Sequence, residues 1–173
     1  GRVDFGVGIG WLKEEFDSLG MDFSTRASRT EEYIMVMRAL WSEGITEFSG
    51  KTVELAPCHF NPKPVQKPYP PIIFGGESDP ALRRVARMGD GWYGYDLTPE
   101  ALVERLPGLD AALAASGRSR SDIQLIVGPN RHPVNAETIA AYAAAGTDQL
   151  VVPVFAGSID KLASRLDVLM SNQ

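Results

Sequence analysis

The chain has 173 residues, a net charge of −5, 44% apolar residues and 23% charged ones. That length bounds it to one good core, the composition is ordinary for a globular protein, and an acidic balance with no basic block argues against nucleic acid as a partner. No apolar run approaches the roughly 20 residues of a membrane span, and a lone cysteine, Cys58, cannot form an internal disulfide, which suits a reducing cytoplasm.

The chain opens at Gly1 with no Met and no signal-like segment, and enters a strand almost at once. This reads as a piece of something longer. Val3 to Ile9 alternates Val3, Phe5, Val7 and Ile9 against Asp4, Gly6 and Gly8, the pattern of a strand. Gly6, Gly8 and Gly10 then share one face of the pleat. Such a bare strip serves either close packing in a crowded core or the close approach of a flat ring. It is not a dinucleotide fingerprint, because Trp11 breaks the spacing.

A helical turn follows over Leu12 to Leu19, then a helix over Ala27 to Trp41 with Tyr33, Ile34, Met37, Leu40 and Trp41 on its apolar face. Glu31 and Glu32 stand in its early turns, where they suit the dipole. Thr46 to Leu55 reads as a hairpin turning at Ser49-Gly50-Lys51. Pro57 to Pro71 holds six prolines and must run extended. It carries His59, a weak acid–base candidate.

Ile72-Ile73-Phe74 is a buried strand that ends in Gly75-Gly76-Glu77-Ser78. Asp79 is placed to cap a helix, Pro80 to begin it, and Gly89 to end it. Two glycines between a strand and a helix start leave N–H groups bare at a positive helix end. That arrangement holds a phosphate in some proteins and is an ordinary βα corner in others.

Gly91 to Tyr95 is the next strand. Thr98 and Pro99 start a helix carrying Leu102, Val103, Leu106, Leu109 and Leu113, which Pro107-Gly108 should kink or interrupt. Arg118 to Ser121 reads as a solvated basic loop. Ile123 to Val127 is a strand ending at Gly128, with Arg131 and His132 just beyond, where functional groups gather in α/β folds. Asn135 caps a helix to Ala145. Leu150 to Phe155 is the last strand, and Ser158 caps an amphipathic helix through Ile159, Leu162, Leu166, Leu169 and Met170. Strand–helix alternation five times over implies an α/β fold with parallel strands and right-handed crossovers.

GVGIGW at residues 6–11, RALW at 38–41, FNPKPVQKPYPPIIFGGES at 60–78 and ALRRVARMGDGWYGY at 81–95 resemble, in this order, the bacterial luciferase-like monooxygenase family. The resemblance is strongest to the branch that uses coenzyme F420 in place of FMN. It implies a partial (β/α)₈ barrel of the TIM type, one domain over residues 1–173, with residues 45–71 as a hairpin and proline-rich insertion. By order of elements the first three βα units are missing. Gly8, Ile9, Gly10 and Trp11 match the segment beside the flavin or deazaflavin ring. Ile73, Phe74, Gly75, Gly76, Glu77 and Ser78 match the phosphate-holding segment, and Gly94 and Tyr95 a second tail contact.

The resemblance implies an oxidoreductase or monooxygenase acting by hydride transfer on a small organic substrate, with FMN or coenzyme F420 as cofactor and no metal. It also implies a cytoplasmic protein and a homo-oligomer, or one packing against the missing barrel half. Catalytic residues stay unassigned; His132 and Glu14 are the candidates. Two alternatives are a non-catalytic half-barrel that packs against a partner and an unrelated open nucleotide-binding module.

Overall fold

A computed structural model describes residues 1–171. The chain divides into two compact units, Gly1–Pro70 and Pro71–Gln173.

The first unit holds strand β1 (Phe5–Val7), helix α1 (Lys13–Ser18), a 3₁₀ turn (Phe23–Thr25), helix α2 (Arg26–Trp41) and the antiparallel hairpin β2 (Thr46–Ser49) and β3 (Glu54–Cys58). β1 is shorter than the alternation implies, because Gly10 turns the chain out of the pleat at φ +79°. A side chain at Gly10 would also stand 2.7 Å from the Phe16 ring. On α2 the apolar face is narrower than its spacing suggests. Ile34 is buried, whereas Tyr33 is exposed.

Glu32 does not serve the helix dipole. It is buried, and its carboxylate accepts from the N–H groups of Lys51, Thr52 and Val53 at 2.9, 2.8 and 3.1 Å and from the Thr52 hydroxyl at 2.7 Å. One acid thus fills the anion-binding curl of the hairpin tip. Gly50 is required there, since a Cβ would lie 2.6 Å from Glu32 Oε2. The α2 C-terminus is satisfied in kind: Thr46 and Ser42 hydroxyls donate to Ala39 O, and Lys63 Nζ to Leu40 O at 2.8 Å. After β3 the proline-rich segment forms no regular element, as its composition requires.

The second unit is an α/β layer. Its strands β4 (Ile72–Gly75), β5 (Gly91–Tyr95), β6 (Gln124–Gly128) and β7 (Gln149–Leu150) lie parallel in that order. Helices α3 (Asp79–Met88), α4 (Pro99–Ala115), α5 (Ala136–Ala144) and α6 (Ile159–Ser171) alternate with them. The core is Ile72, Phe74, Trp92, Leu125 and Val127 from the strands, with Leu82, Val85, Leu102, Leu109, Leu113 and Tyr142 from the helices. Each such side chain contributes about 1.5–3 kcal/mol by leaving water.

The lower edge of the sheet repeats one device. Asp90 Oδ2 accepts from Ile72 N at 2.9 Å, and Asp148 Oδ2 from Leu125 N at 2.7 Å. In each case the acid's own N–H returns a bond to the same residue's carbonyl, at 2.8 Å. Arg118, expected in a solvated loop, instead spans the end of α3. It donates from Nη1 to Ala86 O at 3.0 Å and Gly89 O at 2.8 Å, and from Nη2 to Asp122 O. It supplies donors to carbonyls that a helix end leaves bare.

Three expectations are corrected. α4 runs unbroken through Pro107, which sits on the exposed side; the carbonyl it cannot pair belongs to exposed Val103, where water serves. The last strand is only two residues long, and Pro153, lacking an N–H, cannot extend the ladder. α6 has the expected span, yet none of its residues is buried.

Glu32 is held ionised below the ordinary glutamate range, chiefly by the Thr52 hydroxyl and then by the loop amides. Its stabilisation is therefore full at neutral pH and is lost as pH falls through the ordinary glutamate range and below. Urea midpoints of wild type and Glu32→Gln should differ clearly at pH 7 and converge in acid. A pH-independent difference would contradict this account.

Candidate functional site

The site begins with β4. Its side chains Ile73 and Phe74 are buried, so only backbone from this segment can meet a ligand. Beyond Gly75, Gly76 turns to φ +106°, a left-handed conformation open to glycine, and a Cβ there would lie 3.0 Å from Ala81 Cβ. Its carbonyl accepts from Trp92 Nε1 at 3.0 Å, and Trp92 is wholly buried. An indole N–H so placed needs an acceptor, and the one it takes fixes the Gly76–Glu77 peptide.

Ser78, one residue earlier than Asp79, is the cap of α3: its Oγ accepts from Ala81 N at 3.4 Å. The first helical donor is Leu82 N, to Ser78 O at 3.0 Å. The N–H groups of residues 76–79 therefore precede the ladder and lie at the positive end of a helix. The Ser78 hydroxyl accepts in the cap and keeps its own proton to donate.

The two acids beside this nest are already engaged. Glu77 Oε1 accepts from Tyr95 N at 2.8 Å, and Asp79 Oδ1 from Arg105 Nη2 at 2.9 Å. The Arg105 guanidinium holds the Asp79 carboxyl below its ordinary range. Glu77 can offer an anion only its N–H; its side chain fastens the end of β5. Gly94 is buried and packs under Leu97, whose Cδ1 would be 2.8 Å from a Cβ, while Tyr95 is exposed.

Next along the rim, Asp96 gathers the β6 loop, a role that sequence reasoning missed. Its N–H donates to Gly128 O at 2.7 Å, and its carbonyl stands 3.1 Å from His132 Nε2. Its carboxylate accepts from Arg131 N, Nε and Nη2. Arg131 accordingly holds the Asp96 carboxyl low, and Asp96 raises the guanidinium. The only hint in the sequence was the position of Asp96 just past a strand end.

In the first unit, Gly8, Ile9 and Gly10 continue from β1, and Trp11 is exposed. No atom of that unit lies within 4 Å of where a Cβ on Gly6 or Gly8 would stand, so crowding explains only Gly10 of the strip. His59 and Glu14 are exposed and join no cluster in their unit. Among the described residues no three acids, histidines or cysteines are grouped to hold a metal ion, and no helix is long and apolar enough to cross a membrane.

The sequence profile of the luciferase-like monooxygenases matches residues 1–165. The chain belongs to the luciferase-like monooxygenase family. It is 29% identical over 122 residues to the FMNH(2)-dependent dimethylsulfone monooxygenase of Pseudomonas putida, covering 69% of this chain and 34% of that protein. To an uncharacterized protein of Mycobacterium tuberculosis it is 30% identical over 171 residues, covering 98% of this chain and 58% of the other. It thus spans between about a third and three-fifths of these relatives' length.

The coenzyme F420 dependent tetrahydromethanopterin reductase of Methanopyrus kandleri superposes with a TM-score of 0.73 at 14% identity, over 100% of this chain and 73% of that one. The fold is therefore that of the luciferase-like TIM barrels, of which this chain forms part. An FMNH(2)-dependent enzyme is thus among its sequence relatives, and a coenzyme F420 dependent one shares its fold.

Gly76→Ala should destabilise the protein by about 1–3 kcal/mol, through left-handed strain and the contact with Ala81. Gly8→Ala, with neither constraint, should change stability by less than about 0.5 kcal/mol. Urea denaturation of both variants checks the contrast; equal losses would count against the described geometry.

Proposed function

We propose that the protein is a flavin- or deazaflavin-dependent oxidoreductase that acts by hydride transfer on a small organic substrate. The observation that carries this reading is the nest at Gly75–Ser78. Bare amides lie at a helix N-terminus there, Trp92 locks the Gly76 peptide, and the neighbouring acids are neutralised or turned away. These residues fit the phosphate of FMN or of coenzyme F420.

In this reading Gly76 and Glu77 present N–H groups to the phosphate, Gly75 ends the strand beneath them, and Ser78 adds its hydroxyl proton. Ile73 and Phe74 contribute by anchoring that backbone. Gly94 and Tyr95 border the tail, and Gly8, Ile9, Gly10 and Trp11 run beside the ring. The bound ring supplies the redox chemistry; the protein supplies orientation, desolvation and charge. A helix N-terminus and its amides cost nothing to reorganise when an anion arrives, which is why the nest suits a permanently charged tail.

A second reading, a unit that packs against a partner or a second copy, draws on the exposed Ile159, Leu166 and Met170, whose spacing puts them on one side of α6. Apolar patches left in water mark interfaces.

The coenzyme is decided by titrating full-length protein with FMN and with coenzyme F420 while following absorbance. Saturable binding of one of them is expected, weakened about tenfold or more in Gly76→Val, a loss of about 1.4 kcal/mol or more. Binding of neither would overturn the proposal.

A further inference from the structure

Side chains of strand β5 alternate between two faces. Trp92 and Gly94 face the helices: Trp92 is wholly buried, and a Cβ on Gly94 would meet Leu97 Cδ1 at 2.8 Å. Gly91, Tyr93 and Tyr95 therefore face the other way. On that side a Cβ on Gly91 would stand 2.6 Å from Ile73 Cδ1, and Tyr93 and Tyr95 pair in register with Ile126 and Gly128 of β6. Helices form the outer ring of a TIM barrel, so this is the inner face of the sheet. Barrel enzymes bind their ligands there, toward the C-terminal ends of the strands.

The Tyr93 phenol reaches over Gly128, the last residue of β6. A Cβ at Gly128 would overlap Tyr93 Oη, so only glycine leaves the phenol its seat. The Gly128 carbonyl is pinned from two sides, by Asp96 N at 2.7 Å and Asn130 Nδ2 at 3.2 Å. Asp96 and Asn130 are, among the described residues, the non-glycine ones at positive φ, +56° and +47°. Such conformations persist where the surrounding structure over-determines them, and they gather at functional sites. Here both strained residues hold the glycine that seats the phenol.

Packing accounts for the ring of Tyr93 and not for its hydroxyl, since a phenylalanine would fill the same seat. A buried phenol ordinarily finds a partner. Tyr142, buried in the same unit, does so: its Oη donates to Leu97 O at 2.6 Å. Tyr93 is half-buried, and its Oη makes no hydrogen bond among the described residues. Burial pushes the Tyr93 phenol up from its ordinary value, and Tyr95 adds to the shift. At neutral pH the hydroxyl therefore keeps its proton and is ready to donate.

We propose that Tyr93 is a ligand-binding residue of the barrel interior, donating its hydroxyl to a carbonyl oxygen of the bound coenzyme ring or of the substrate beside it. The inference rests on the flavin or deazaflavin reading and extends it. The nest serves the phosphate, whereas Tyr93 serves the reacting end of the ligand. Neighbouring strands lie about 4.8 Å apart, so the seat over β6 stands about 10 Å across the sheet from the nest at the end of β4. A phosphate tail and its ring, with or without a substrate, span such a distance. Asp96 and Asn130 are positioning residues: they act through Gly128.

The test records full-length protein carrying ¹³Cζ-labelled tyrosine in equal parts of H₂O and D₂O. A hydroxyl held in a hydrogen bond exchanges slowly there and gives two lines in place of one. Tyr93→Phe assigns the signal, and Gly128→Ala, whose methyl displaces the phenol, assigns it independently if the first variant does not fold. Free protein should show one line for Tyr93. Saturation with FMN or coenzyme F420, whichever binds by absorbance, should split that line if the ring is the acceptor. A split that appears only when cyclohexanone is added as well assigns the substrate. Tyr93→Phe should weaken the ligand that causes the split about three- to tenfold. A line already split in free protein would reveal a partner within the protein and overturn the proposal, as would a line left single with coenzyme and ketone both present. Coenzyme binding with Tyr93 unmoved removes this inference and leaves the phosphate nest standing; absence of coenzyme binding removes both.

Discussion

The hydrogen bond from Trp92 Nε1 to the Gly76 carbonyl is the constraint on which the candidate site depends. Trp92 fills the centre of the second unit and has no access to water. Its N–H must be satisfied internally or cost the free energy of a buried unpaired donor, about 1–3 kcal/mol. The acceptor it finds is the peptide just past β4. Accepting there requires the chain to turn through φ +106°, which only glycine takes without strain. With that carbonyl turned inward, the following amides precede the α3 ladder and stay unused. Core packing and the proposed anion site are therefore one arrangement seen from two sides.

The rest of the rim follows from side chains acting as backbone partners. Glu77 takes the Tyr95 N–H, and Asp96 takes the β6 loop. At the opposite edge Asp90 and Asp148 accept from amides at the start of the preceding strands, Ile72 N and Leu125 N. Parallel strands leave such amides without a partner at the sheet edges, and a carboxylate one connection away is a compact remedy. Glu32 does the same for the hairpin tip of the first unit. Glu32 and Asp96 are held ionised, because each carboxylate accepts several hydrogen bonds that favour the charged form.

The βα order was legible because it is written in local signals. A β-branched and aromatic run gives way to glycines at residues 72–76, and Thr98-Pro99 and Asn135 mark helix starts that the structure keeps. The glycine turn at 75–76 ahead of a helix start was also legible. What local pattern could not carry was the long-range use of polar residues. Nothing near Glu32 says that it folds back onto residues 51–53, and Arg118 in a serine-rich loop looks solvated until the end of α3 lies beneath it. The period of α6 predicted its helix but not its burial, because amphipathicity names an apolar face and not what covers it. The last strand was over-read for a related reason: an apolar run suits many environments, and Pro153 removes the donor that further pairing needs.

The central claim is that the Gly75–Ser78 nest holds the cofactor by its phosphate. The most direct measurement compares, on full-length protein, the affinity of the bound coenzyme with that of its phosphate-free core, riboflavin for FMN or the deazaflavin core for coenzyme F420. A nest of charge-assisted N–H bonds at a helix N-terminus predicts a preference of about tenfold or more for the phosphorylated form. Equal affinity for the two forms would contradict the account.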